Sequence, residues 1–229
     1  MNFKKICLNN DTKIIVDNFS PYDIFIGITD KGFDYDYKNN TTGLSHLFEH
    51  SIFRHRGEND NIIYNGSTCF NFMTFFSKRR NNSITYNDVC KNLIYKFYDK
   101  FSNIPFIYNF DFDDKLSKIV DELENEYYFR KSYDIDGISL FFINYGKKYL
   151  GGTSIDLSNE EVIKKKLIKL WENIDPSDIL IILKYNNDEI IDIINHTFGS
   201  KKKNKKKIYV QKFYKRNSKN VKGIFVYTN

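Results

Sequence analysis

The stretch that most limits what this chain can fold into is His46-Leu47-Phe48-Glu49-His50, an H-x-x-E-H arrangement. Its polar groups meet on a helix, where side chains four residues apart lie one above the other on the same face. His46 and His50 then aim two imidazole nitrogens at one point. Glu49, three residues after His46, leans its carboxylate into the same space. Neutral imidazole suits zinc, and a catalytic zinc keeps three protein ligands with a water in the open position. The ion lowers the pKa of that water, and a carboxylate placed like Glu49 can take its proton and pass it to a leaving amine. The same residues also suit a plainer role. Leu44, Leu47 and Phe48 form the apolar face of an amphipathic helix, and its histidines then merely find hydrogen-bond partners.

A third ligand decides between the two. The segment Glu122-Leu123-Glu124-Asn125-Glu126 falls in a helix expected from about residue 112 to 131. Its three glutamates cannot all face one way, because positions i and i+2 diverge by about 200° on a helix. One of them can point at a metal while the others stay in solvent.

Hydrophobic periodicity supplies the surroundings. Phe3 to Leu8 and Thr12 to Val16 read as a hairpin around Asn9-Asn10-Asp11, and Ile24 to Ile28 as a buried strand. A polar loop over Asp34 to Asn40 leads to the motif helix, with Thr41 or Thr42 as its N-cap. A strand over Asn71 to Lys78 and a helix over Tyr86 to Phe101 follow, then the glutamate helix and another over Ile135 to Tyr145. Next come a helix over Asn159 to Trp171, a strand over Ile179 to Leu183 and a helix over Asp188 to Phe198. Final strands are expected over Ile208 to Phe213 and Gly223 to Tyr227. This order gives an α+β fold, one mixed and largely antiparallel sheet with helices packed on one side, in a single domain over residues 1–229.

Charge and cysteine content narrow the functional classes. The net charge of +6 is accounted for by the six lysines of a lysine-rich loop at 200–207, read as solvated. No aromatic residues interleave with those lysines to stack on bases, which argues against a nucleic-acid partner. No apolar run approaches membrane-span length, and the N-terminus lacks the apolar core of a secretion signal. Cys7, Cys69 and Cys90 are odd in number and widely spaced, which fits a reducing compartment.

Thr42-Gly43-Leu44-Ser45-His46-Leu47-Phe48-Glu49-His50, followed some seventy residues later by a glutamate-rich helix, resembles the inverted-motif zinc peptidases of the pitrilysin family. The resemblance is strongest to that family's divergent poxvirus branch, the virion-core metalloproteases. Glu122 to Arg130, Gly151 to Asp156 and Thr197 to Ser200 carry it further, so that it spans about residues 3 to 200. It implies Zn²⁺ held by His46, His50 and Glu124, with Glu126 as the other choice, and Glu49 as the base. Asn65-Gly66-Ser67-Thr68 is similar to the family's N-A-x-T segment, an edge strand that pairs with the substrate backbone. Asn65 and Thr68 are thereby implied in substrate binding. Where the family carries an acidic residue seven positions before its third ligand, Ser117 stands here.

The resemblance implies a zinc metalloendopeptidase that processes virion core precursors during poxvirus morphogenesis, in the host cytoplasm and virion core. Small-residue sites such as Ala-Gly-X are the expected targets. Family members have two homologous halves, and this chain ends at Asn229 after the first. A second-half chain or self-association is therefore expected to complete the site, with negligible activity from this chain alone. Two alternatives are a catalytically silent half-subunit acting as a structural partner and a basic nucleic-acid-binding virion protein.

Overall fold

Alternation of β-branched and aromatic residues builds the sheet. Ile14, Ile24, Ile26, Ile28, Met73, Phe75, Ile179, Ile181 and Leu183 are all buried, while the residues between them are more exposed. That period of two is what one covered sheet face demands. The structure is a computed structural model and describes residues 3–54, 59–109, 118, 119, 121–123, 125, 126 and 159–203. Six strands form one sheet: β1 (Lys4–Cys7), β2 (Lys13–Val16), β3 (Ile24–Thr29), β4 (Ile62–Thr68), β5 (Phe72–Arg79) and β6 (Ile179–Leu183). Their spatial order is β1-β2-β6-β3-β5-β4. Among the described strands only the β2–β6 pairing is parallel. The fold is α+β with a mixed, largely antiparallel sheet.

Helices α1 (Phe33–Lys38), α2 (Leu44–Arg54), α3 (Tyr86–Phe97), α4 (Glu160–Glu172) and α5 (Asp188–Thr197) accompany the sheet. Phe48 of α2 packs edge-on against Phe75 of β5 and stacks on Trp171 of α4. Phe97 of α3 meets Phe75, Trp171 and Phe198. The core thus lies between the buried sheet face and these helices. Helices α3, α4 and α5 each begin with a side-chain cap, from Thr85, Asn159 and Asn187 respectively.

Three expectations need correction. Residues expected as a polar loop over 34–40 form α1 over most of that span, held by a Lys38–Asp34 pair at 2.6 Å. Its inward residues are Phe33 and Asp36, so no apolar stripe announced it. Neither Thr41 nor Thr42 caps α2. The helix begins at Leu44, and the Asp36 carboxylate accepts the Ser45 backbone N–H at 2.9 Å and the Ser45 hydroxyl at 2.8 Å. A side chain from α1 thus does the work of a cap at the start of the motif helix. Lys201, expected in a solvated loop, donates to Trp171 O at 2.6 Å and lies 4.6 Å from the Trp171 ring. Burial pushes its ammonium down to about 8. The expected strands at 208–213 and 223–227, the helix at 135–145 and residues 204–207 of the lysine-rich loop lie outside the described residues.

Burial pushes the Asp36 carboxyl up to about 7, against the pull of its hydrogen bonds from Ser45. A carboxyl raised on folding contributes most below its unfolded pKa and loses that contribution as pH rises through the folded value. Asp36→Ala is therefore expected to lower stability by about 1–3 kcal/mol at acidic pH, as for a lost cap with a stranded buried N–H. The gap should narrow as pH rises from about 4 to about 7 and level off above that. Urea unfolding across that range is the check, and a variant as stable as the parent throughout would show that α2 needs no cap from α1.

Candidate metal centre

Helix α2 divides its residues between two jobs. Leu44, Leu47, Phe48 and Ile52 enter the core, and His46, Glu49, His50 and Phe53 lie beside them toward β4 and the glutamate helix. His46 is 1% exposed and Glu49 6%. The two imidazoles, one helical turn apart, have ring centroids 4.8 Å apart and Nε2 atoms 3.1 Å apart.

The third group comes from the glutamate segment, where residues 118, 119, 121–123, 125 and 126 are helical. Ile119 and Leu123, four apart, are buried in the core, and Glu122 and Glu126, also four apart, turn to α2. Glu126 Oε2 lies 3.1 Å from His46 Nε2, and its Oε1 lies 3.3 Å from His50 Nε2. The adjoining imidazoles, first His46 and then His50, hold the Glu126 carboxyl well below the usual carboxylate range. Glu124 and Ser117 lie outside the described residues.

Glu122 plays a part the sequence did not suggest. Its Oε2 lies 3.3 Å from His50 Nδ1. A carboxylate only accepts, so the His50 proton belongs on Nδ1, and the Nε2 lone pair faces His46 and Glu126. A lone pair and a carboxylate so close together call for a proton or a cation between them. Ligand atoms of a tetrahedral ion at about 2.0–2.1 Å stand roughly 3.3 Å from one another by geometry alone. The two Nε2 atoms, 3.1 Å apart, are at that spacing, and the Glu126 carboxylate spans them with one oxygen 3.1 Å from His46 Nε2 and the other 3.3 Å from His50 Nε2. The donor set therefore fits a metal of the kind that takes imidazole and carboxylate. His46, His50 and Glu126 are the one such trio among the described residues.

Glu49 stands beside this trio, its Oε2 3.9 Å from His46 Nε2, and accepts the Thr68 hydroxyl at 3.2 Å. Thr68 is 2% exposed, so its side chain faces the base and not solvent. Asn65 is exposed on the opposite face of β4, where its Oδ1 accepts the Gly66 N–H at 2.8 Å. β4 is a sheet edge, hydrogen-bonded to β5 alone among the described residues. Cys69 N–H donates to Phe72 O, so by antiparallel alternation the outer edge carries the backbone groups of Ile62, Tyr64, Gly66 and Thr68. Between that edge and α2 opens a cleft of about 370 Å³ lined by Glu49, His50, Phe53, Tyr64, Lys96 and Glu126. Lys96, fully buried, donates to Phe53 O at 3.2 Å and lies 4.6 Å from the Tyr64 ring. In sequence, its only mark is a lysine set among the apolar positions of α3.

Two histidines and a glutamate on facing helices thus lie beside a strand that pairs only with β5 among the described residues. Residues 5–226 match the model of a family described as a metallopeptidase from vaccinia pox, and the chain belongs to that family. It is 32% identical over 198 residues to the metalloendopeptidase OPG085 of Vaccinia virus (strain Copenhagen), covering 85% of this chain and 32% of the relative. It is 31% identical over 196 residues to the probable metalloendopeptidase G1-type of Fowlpox virus, covering 85% and 30%. The chain thus spans about a third of the length of these relatives. Among solved structures, pitrilysin shares the fold with a TM-score of 0.60 at 16% identity, over 86% of this chain and 22% of that one. A protease from Helicobacter pylori does so with 0.56 at 14%, over 90% and 52%.

The arrangement around His50 predicts an unusual tautomer. In mildly alkaline, metal-free solution, where imidazole is neutral, nitrogen NMR shifts should place the His50 proton on Nδ1. Glu122→Ala should release it toward Nε2. A parent protein already protonated on Nε2 would show that Glu122 does not hold the ring.

Proposed function

We propose that this chain is the metal-binding catalytic half of a zinc metalloendopeptidase. The observation that carries this is the convergence of one ligand atom each from His46, His50 and Glu126 to within 4.8 Å of one another, with the two Nε2 atoms 3.1 Å apart. His46, His50 and Glu126 would hold the ion, with Glu126 taking the place expected for Glu124. A zinc bound there supplies a water of lowered pKa and polarises the substrate carbonyl.

The chain's own groups do the rest. The Glu49 carboxylate takes a proton and returns it to the leaving nitrogen, and its burial beside the ligands suits it to both steps. The outer edge of β4 takes an extended peptide as an added strand, with main-chain hydrogen bonds giving affinity. Side chains of that peptide enter the cleft at Phe53, Tyr64 and Lys96. Glu122 keeps the His50 ring turned to the ion, a support supplied from elsewhere on the helix because the position seven before Glu126 is the buried Ile119.

The substrates we propose are virion core precursor proteins cleaved at small-residue sites during poxvirus morphogenesis, in the host cytoplasm and virion core. Support comes from the family and from the poxvirus relatives. Among the described residues, no helix is long and apolar enough to cross a membrane. A second half, in the same polypeptide or a separate chain, would close the cleft.

Zinc titration followed by elemental analysis tests the ligand set. The parent should bind one zinc, His46→Ala, His50→Ala and Glu126→Gln should lose it, and Glu124→Gln should keep it. Zinc loss in Glu124→Gln with retention in Glu126→Gln would reverse the third ligand. Glu49→Gln should keep zinc while peptide hydrolysis falls by roughly two to four orders of magnitude. Loss of metal in that variant would make Glu49 a ligand and remove it as the base.

A further inference from the structure

The same strand that offers its edge to a peptide also grips the base. Thr68 and Gly66 are two apart on β4 and so share its inner face, toward α2. Thr68 donates its hydroxyl to Glu49 Oε2 at 3.2 Å. Gly66 governs the other oxygen. A Cβ at Gly66 would stand 2.7 Å from Glu49 Oε1 and 2.8 Å from Phe53 Cε2. The first is far inside contact distance, so Glu49 lies where it does because residue 66 has no side chain. The second brings the same Cβ against Phe53, one turn further along α2.

We propose that Gly66 and Thr68 are positioning residues that seat the Glu49 carboxylate from the substrate-binding strand. The proposal rests on Glu49 being the base of a metal site. Thr68 engages Oε2, and Oε1 lies over the bare Gly66 Cα. The backbone groups of these same two residues lie on the outer edge of β4. The register of a bound peptide and the place of the base are therefore set by one rigid element, with no loop between them. A hydroxyl that merely satisfied itself in the core would put no demand on Gly66. The two residues act on opposite oxygens of one carboxylate.

Acetohydroxamate reads this seat without turnover, because it chelates a metal and passes its proton to an adjacent carboxylate. Thiocyanate binds a metal and has no proton to give. Calorimetry on the zinc-loaded chain should show acetohydroxamate weakened roughly tenfold in Thr68→Val, the size of one charge-assisted hydrogen bond. Gly66→Ala should lose at least as much. Zinc and thiocyanate affinities should stay at the parent values in both, and Thr68→Ser should bind acetohydroxamate as the parent does. Parent-like acetohydroxamate binding in Thr68→Val, while Glu49→Gln loses it, overturns the seat and leaves the base intact. Equal loss of zinc or thiocyanate in Thr68→Val overturns it too, since that marks a general structural role. Should Glu49→Gln itself bind acetohydroxamate normally, the assignment of Glu49 as base falls instead.

Discussion

Eleven residues of α2 must anchor the helix and also present its chemistry, and the 3.6-residue period lets them do both. The apolar set Leu44, Leu47, Phe48 and Ile52 locks rotation about the helix axis, and Phe48 is wedged between Phe75, Phe106 and Trp171. The polar set follows with no freedom of its own. Axial position is fixed separately, by the Asp36 carboxylate at the helix start. Rotation from packing and translation from a cap together specify where two imidazoles point.

Electrostatics then bind the other elements to this helix. Glu122 and Glu126 approach the histidines from the glutamate helix, and Glu49 lies within 3.9 Å of His46. Three carboxylates gathered so tightly repel one another unless positive charge stands among them. Lys96 lines the same cleft, but its ammonium is turned to Phe53 O and the Tyr64 ring. The centre is a cluster whose charge balance favours a bound cation, and ligand binding of that kind adds directly to folding stability.

Local pattern made most of the sheet legible. Ile179 to Leu183 is bounded in the structure as the sequence suggests, because five apolar residues between turn signals suit a buried strand. The α1 helix escaped because its inward face pairs Phe33 with a carboxylate, and a buried acid looks like a surface residue in sequence. β4 has no clean alternation over Ile62–Thr68, and only its Asn65-Gly66-Ser67-Thr68 segment pointed to a strand. In the site, the His46 and His50 spacing is local and readable. That Glu122 and Glu126 face them depends on how a second helix is rotated in the core, and Ile119 and Leu123 set that rotation. Lys96 and Lys201 show the same limit, since both carry their charge inward to backbone carbonyls.

The parallel seam between β2 and β6 has a consequence for how the chain reaches this state. β6 is inserted between β2 and β3, pairing Leu183 with both Val16 and Ile24. Strands β3, β5 and β4 can pair as soon as they leave the ribosome, along with α2 and α3. The N-terminal hairpin, made first, has no sheet to join until residues 179–183 emerge. Until then the flank of β3 offers an unpaired, isoleucine-rich backbone to any passing strand. Closing so wide a sequence gap is slow by nature, so the strand most distant in synthesis is also the one that ends the vulnerability to misassembly.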